Sequence, residues 1–126
     1  MTKQNFTLEK SRIDCLPIVA RYLERVHVRA LLSHYVGRER YVDALIAIIM
    51  NIMYGCEALY RLSNWCKQFD SRFVPMSLGS DDVFGRALDK LFRSDRASLQ
   101  MNLVRQLIAN FDIKTERIHS DSTSVK

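Results

Sequence analysis

The sequence predicts an all-α fold, a compact bundle of five or six helices followed by a short C-terminal strand or tail. Two observations support this prediction. The chain of 126 residues contains only 4 glycines and 2 prolines, too few for a turn-rich β fold or a disordered chain. Its hydrophobic residues make up 48% of the total and recur at spacings of three and four, which is the period of amphipathic helices.

The first element is predicted to begin at Pro17, because the fixed φ angle of proline suits the first turn of a helix. Asp14 lies nearby, where an acidic side chain favours a helix N-terminus. His27 and Val28 mark a break between two short helices. The residues that recur at helical spacing on their apolar faces are Ile18, Tyr22, Leu23, Val26, Ala30 and Leu31.

Gly37 is predicted to end this pair of helices, and a central buried helix follows. The stretch YVDALIAIIMNIMYG, residues 41–55, is apolar on almost all sides, which is typical of a helix inside a bundle. The longest uncharged run, ALIAIIMNIMYGC at residues 44–56, is shorter than the about 20 apolar residues that cross a bilayer, and Asn51 interrupts it. We therefore expect no membrane partner and a cytoplasmic protein.

A shorter helix is predicted within ALYRLSNWCKQF, residues 58–69, and VPMSLGS, residues 74–80, is the clearest loop. The apolar side chains of that helix are Leu59, Leu62, Trp65 and Phe69.

Two further helices complete the predicted bundle. Ser80, Asp81 or Asp82 is expected to cap the first of them, and Ser94 or Asp95 the second. The predicted apolar stripe of the first consists of Val83, Phe84, Ala87, Leu88, Leu91 and Phe92. That of the second consists of Leu99, Leu103, Leu107, Ile108 and Phe111.

The charge of the chain favours a polyanionic partner, since 19 basic residues against 14 acidic residues give a net charge of +5. Arg21, Arg25 and Arg29 are four residues apart, so a continuous helix would place them on one face, where they could follow a DNA backbone. The alternative is a solvated face that Glu24 screens. The sequence predicts these three arginines as the DNA-binding residues.

Two other groups have simpler explanations. Arg86 and Arg93 are each four residues after an aspartate, Asp82 and Asp89, so ion pairs within one helix account for them without DNA. Tyr54, Tyr60 and Trp65, with Arg61, have the composition of a base-stacking surface, but aromatic residues at helical spacing beside an apolar helix are more often part of a core.

The cysteines and histidines do not have the spacing of a zinc site. His119, Asp121 and Ser122 are close in sequence, but no glycine-flanked nucleophile turn surrounds them, so a hydrolase is the weaker hypothesis.

Four segments taken together resemble one protein family: DALIAIIMNIMYGCEALYRLSNW, DDVFGRALDKLF, DRASL and IHSDSTSVK. They are similar to the N-terminal part of bacterial and archaeal insertion-sequence transposases of the DDE class. In these enzymes a helical domain of unknown function precedes an RNase H-like catalytic domain. The resemblance implies a helical domain over residues 1–112 and a stub of the catalytic domain over residues 113–126.

The resemblance assigns one catalytic role, to Asp121. The aspartate in the motif matched by DSTSV is the first catalytic acid of that family and a ligand of its metal ions. A complete enzyme of this class uses two divalent ions, typically Mg²⁺, held by several converging carboxylates. This chain supplies one of them, so we expect it to be inactive alone.

The implied partners are DNA at the ends of the mobile element, an intact transposase, or a second copy of the chain. The alternative function, from another class, is a helical protein–protein interaction module that dimerises and does not bind DNA.

Overall fold

The computed structural model describes residue 8, residues 10–74 and residues 81–116, and within these residues the protein is all-α, as predicted. No β-strand occurs in the described ranges, and the strand or tail predicted after residue 116 lies outside them. A 3-10 turn, Leu59–Arg61, precedes the fourth of six helices. The helices are α1 (Leu16–Arg25), α2 (Val28–Val36), α3 (Glu39–Tyr54), α4 (Leu62–Cys66), α5 (Asp82–Arg93) and α6 (Arg96–Phe111).

Helix α3 lies at the centre, which confirms the prediction of a buried central helix. It packs against α1, α2, α4 and α5. Its buried side chains are Val42, Ala44, Leu45, Ile46, Ala47, Met50 and Asn51. The other elements complete one hydrophobic core with Leu16, Leu32, Leu62, Trp65, Cys66, Phe69, Val74, Val83, Phe84 and Ala87.

The predicted helix boundaries are largely confirmed. Pro17 lies in the first turn of α1, and His27 separates α1 from α2. Gly37, at a φ of 91°, ends α2 in the left-handed conformation that glycine adopts without strain. Gly55 follows the last residue of α3, and Asp95 caps α6 by accepting a hydrogen bond from the backbone N–H of Ser98.

Asn51, which interrupts the uncharged run, shapes the turn after α3. Its side-chain amide donates to the carbonyl of Glu57, and its side-chain oxygen accepts from the N–H of Glu57, both at 2.9 Å. These bonds satisfy the buried amide, which is 6% exposed.

The N-terminal segment is fastened to the chain after α4. The N–H of Arg12 donates to the carbonyl of Gln68, and the N–H of Asp70 donates to the carbonyl of Arg12, both at 2.9 Å. This isolated parallel bridge leads the chain into α1 beside Phe69.

Asp14 lies near the start of α1, as predicted, but outside its first turn and at a φ of 42°. Its carboxylate accepts a hydrogen bond from the Tyr54 hydroxyl at 2.6 Å and forms an ion pair with Arg12 at 2.7 Å. The hydrogen bond from Tyr54 is the main cause of the lowered pKa of Asp14, and the same bond raises the pKa of Tyr54. Asp14 therefore connects the segment before α1 to Tyr54, the last residue of α3.

Three predicted core residues turn outward: Leu59, Leu88 and Phe92 are 45%, 37% and 65% exposed. The predicted stripe of α5 is wider than the surface that covers the helix, so only Val83, Phe84 and Ala87 are buried.

No single described helix is long and apolar enough to cross a bilayer. The segments Glu39–Tyr54 and Leu59–Cys66 meet the criteria of length and composition only as a pair bent by 112°.

Candidate nucleic-acid interface

The break at His27 divides the predicted DNA-binding arginines between two surfaces. α1 ends at Arg25, His27 adopts a left-handed φ of 56°, and α2 begins at Val28. The helical phase that would align Arg29 with the other two arginines is therefore lost. Arg21 and Arg25 remain together on α1, and Arg29 belongs to α2.

An open hollow of about 500 Å³ lies along the outer face of α1, and Ile18, Arg21, Tyr22 and Arg25 contribute to its lining. We call these four residues the α1 face. Ile18 and Tyr22 are more than half exposed. The α1 face thus combines two cations with an aromatic ring and an aliphatic side chain in contact with solvent.

Arg25 is held in place by the end of α6. Its guanidinium donates to the backbone carbonyl of Asn110 at 3.0 Å and lies 4.6 Å from the ring centroid of Phe111. The ring of Tyr22 stacks on the same Phe111 ring, with the two centroids 5.9 Å apart. Because a guanidinium carries five N–H donors, Arg25 keeps donors for an anion while its orientation is fixed.

Arg21 is less constrained. The nearest carboxylate oxygen belongs to Glu24, 4.0 Å away, and both side chains are about three-quarters exposed. Ion pairs of this kind contribute little because water screens them. Arg21 is therefore available to a phosphate group.

Arg29 faces a different environment. It forms an ion pair with Asp43 at 2.6 Å. It also lines a cleft of about 500 Å³ between α1, α2, α3 and the segment after α4. The apolar lining of this cleft is Ala20, Leu23, Ala30, Ile46, Met50 and Phe73.

The second arginine of the cleft, Arg72, is also paired. Asp70 accepts hydrogen bonds from the Arg72 backbone N–H, Nε and Nη2 at 2.9, 3.0 and 2.8 Å. The side-chain hydrogen bonds are the main cause of the lowering of the Asp70 pKa to about 2, and they raise the pKa of Arg72. A carboxylate thus balances each arginine of the cleft, which makes the cleft a weaker anion site than the α1 face.

Two ion pairs were expected within α5, Asp82 with Arg86 and Asp89 with Arg93, and one of them forms. Arg93 lies 3.3 Å from Asp89. Among the described ion pairs, none joins Asp82 to Arg86, so Arg86 is exposed without this partner.

Of the aromatic residues that were considered for base stacking, Trp65 is buried against Phe69, with ring centroids 4.6 Å apart. Tyr54 packs edge-on against the same phenylalanine. Tyr60 is 69% exposed, and the guanidinium of Arg61 lies 5.4 Å from its ring centroid. Tyr60 is therefore the most accessible member of this group, since Tyr54 is 37% exposed and Trp65 is buried.

The described residues contain no group of three or more His, Cys, Asp or Glu side chains arranged to hold a metal ion. Burial raises the pKa of the Cys66 thiol to about 11, which makes that cysteine unreactive. Asp121, with its neighbours His119 and Ser122, lies outside the described residues, so its catalytic and metal-binding roles stay predictions.

Sequence reasoning missed the contribution of Tyr22 and Phe111 to the α1 face, because it assigned both to apolar helix faces. The spacing of Ile18, Tyr22 and Arg25 by four and three residues was a usable signal, since residues at this spacing lie on one face of a helix.

A family model described as a domain of unknown function (DUF4277) matches residues 8–105. The chain belongs to the DUF4277 family. Comparison with curated proteins and with solved structures finds no match. The predicted helical domain of unknown function is thereby confirmed, whereas its place in front of a DDE catalytic domain stays a prediction.

The DUF4277 match contains α1 to α5 and the first part of α6. It therefore includes the α1 face and Arg29, but it ends before Phe111 and before Asp121.

Proposed function

We propose that this chain is the helical N-terminal part of a DDE transposase and that it binds DNA, at the terminal inverted repeats of the element, through the α1 face. The observation that carries the proposal is the pair Arg21 and Arg25. Both are exposed, no carboxylate of the described residues lies closer to either than the Glu24 oxygen 4.0 Å from Arg21, and Tyr22 lies between them in sequence.

The α1 face suits a phosphate backbone for physical reasons. The two guanidinium groups supply charge and N–H donors, and each phosphate that they neutralise releases counterions. Tyr22 and Ile18 add apolar area against sugar or base. The net charge of +5 attracts the polyanion from a distance.

The assignment to a transposase rests on the sequence resemblance. In a complete enzyme Asp121 would be the first catalytic acid and Mg²⁺ the metal ion that stabilises the phosphoryl transfer. The resemblance assigns a catalytic role to no other residue of this chain, so the chain alone is not catalytically competent in this proposal.

DNA binding is tested by fluorescence anisotropy on a labelled duplex over a range of salt concentrations. We expect affinity to fall steeply with salt. The double variant Arg21→Ala/Arg25→Ala should bind more weakly and reduce the slope of log K against log salt by about 2 units.

The matched control is Lys10→Ala/Lys67→Ala, which removes the same charge at two exposed positions that do not belong to the α1 face. It should retain most of the affinity. If both double variants lose affinity equally, the binding is a property of net charge and the α1 face is the wrong site.

The transposase assignment is tested by sequencing the genomic DNA beyond the codon for Lys126. A frame that continues, in phase or shifted by one, into strands with two more acidic residues supports it. A clean stop without a catalytic remnant or flanking inverted repeats would remove it. The protein–protein interaction module would then be the better account, which the exposed apolar residues of α5 favour.

A further inference from the structure

Helix α5 presents a row of residues to solvent. Asp81, Gly85, Leu88 and Phe92 are spaced by three and four, so they lie on one side of the helix, and we call them the outer row. Phe92 is 65% exposed and Leu88 is 37% exposed. The guanidinium of Arg96 lies 4.4 Å from the centroid of the Phe92 ring, but most of that side chain stays exposed, which leaves apolar surface for a second molecule.

Gly85 makes a hollow in the outer row. A Cβ atom at this position would meet nothing within 4 Å, so the packing of the domain does not require glycine there. Glycine inside a helix lowers its stability relative to alanine. The hollow, of about 660 Å³, is open to solvent and is bounded by apolar and charged side chains: Leu59, Tyr60, Asp81, Asp82 and Arg86.

A series of charged residues follows the outer row along one side of α5. Asp82, Arg86, Asp89 and Arg93 each come one residue after a member of the row, and their signs alternate. From Asp82 to Arg93 the charges run negative, positive, negative, positive, and from Arg93 to Asp82 they run positive, negative, positive, negative. Two copies of α5 side by side and antiparallel therefore bring each acidic residue near a basic one.

We propose that the chain forms a homodimer through antiparallel packing of α5 against α5 of a second copy, with Phe92 of each copy inserted in the Gly85 hollow of the other. The two-fold axis passes near Leu88. Gly85 and Phe92 are separated by about 10 Å along the helix, and the same distance applies in both copies. Both insertions therefore form together, as a self-complementary interface requires.

We assign the second copy of the chain as the partner of α5 because two antiparallel copies of the charged series place opposite charges next to each other. The pairing places Asp82 within reach of Arg93 of the second copy and Arg86 within reach of Asp89. Apolar contacts then occupy the centre of the interface and ion pairs its edge, which is the usual arrangement. This proposal does not depend on DNA binding.

Self-association is measured by sedimentation velocity on the full chain, without DNA, over a series of protein concentrations. We expect a concentration-dependent shift from monomer to dimer. Gly85→Leu fills the hollow, and Phe92→Ala removes the ring that enters it. Each should weaken the association by at least about tenfold, the effect expected at a central interface residue.

Gly85→Leu is informative because a Cβ atom at this position meets nothing within 4 Å, the hollow beside it is open, and leucine favours the helix, so loss of the fold would not explain the result. The matched control is Met101→Ala, which removes an exposed apolar side chain from α6 and should leave the association unchanged. Circular dichroism confirms that each variant is helical.

A charge exchange tests the antiparallel arrangement. The variant Asp82→Arg/Asp89→Arg has an all-basic series, and Arg86→Asp/Arg93→Asp has an all-acidic series. Each should be monomeric alone, and an equimolar mixture should associate again. The proposal is overturned if the natural chain stays monomeric up to about 1 mM. It is also overturned if Gly85→Leu dimerises normally, or if the mixture does not associate.

Discussion

Gly55 lies so close to Trp65 that a side chain at this position has no room. A Cβ atom would be 2.6 Å from Trp65 Nε1 and 3.3 Å from Asn51 Oδ1. Trp65 is buried and cannot move aside without disturbing the core. We expect Gly55→Ala to lower the free energy of unfolding by about 1–3 kcal/mol, as measured by urea denaturation.

Gly85→Ala is the matched control, since the new Cβ atom has free space and the position lies within a helix. It should raise the free energy of unfolding by up to about 1 kcal/mol. Effects of the same sign at the two glycines would show that helix propensity, and not the contact with Trp65, decides the outcome at Gly55.

Asp70 gives the domain a stability that depends on pH. Its pKa is lowered to about 2 in the folded protein, against about 3.9 in an unfolded chain. The contribution is therefore fully present above about pH 4 and is lost as the pH falls towards 2. We expect Asp70→Asn to be less stable than the natural chain at pH 6.

The difference between the two proteins should shrink as the pH falls from about 5 to about 2, because protonation removes the same interaction with Arg72. Denaturant titrations at several pH values measure this difference. A difference that stays constant over this range would mean that the carboxylate charge is not what stabilises the turn.

At the scale of the elements, α5 and α6 begin in different ways. Asp95 accepts a hydrogen bond from the N–H of Ser98 at 3.1 Å, whereas Asp81, at the equivalent position of α5, makes no capping bond. We expect Asp95→Ala to lower the free energy of unfolding by about 1 kcal/mol. Asp81→Ala should change it by less than about 0.5 kcal/mol, since nothing is lost.

Thermal denaturation of the two alanine variants, observed by circular dichroism, checks this comparison. Equal destabilisation by both would indicate that the charge near the helix end matters more than the hydrogen bond.

The helices and most of their ends could be predicted from local chemistry. Proline at the start of α1, glycine after α2 and an aspartate before α6 act within one turn of the chain, so the sequence contains the relevant information. Which apolar residues face outward depends on how far neighbouring helices extend, and Phe92 was for this reason assigned to the core. The left-handed conformation of His27 had a larger effect than the sequence suggested, because it separated Arg29 from Arg21.

At the scale of the whole molecule, the core is unevenly distributed. α3 holds seven of the buried side chains, whereas no residue of α6 is buried. Segments with few buried contacts open most easily. We expect backbone amides in α6 to exchange with deuterium at least about tenfold faster than those in the middle of α3, which corresponds to ~1.4 kcal/mol.

Hydrogen exchange followed by mass spectrometry measures both helices in one experiment. The Asp95→Ala variant provides an internal check, since it should accelerate exchange in α6 and leave α3 nearly unchanged. Equal protection of the two helices would mean that the domain opens only as one unit.

The contact between Gly55 and Trp65 also gives the protein an optical signal of its own. Trp65 is the single tryptophan of the chain, and it lies beside Phe69 in an interior that excludes water. Its fluorescence should therefore be blue-shifted in the native protein and move to longer wavelength when the junction of α3 and α4 opens. Loosening of α6 alone should leave this emission unchanged, so unlabelled protein can distinguish partial opening from loss of the core.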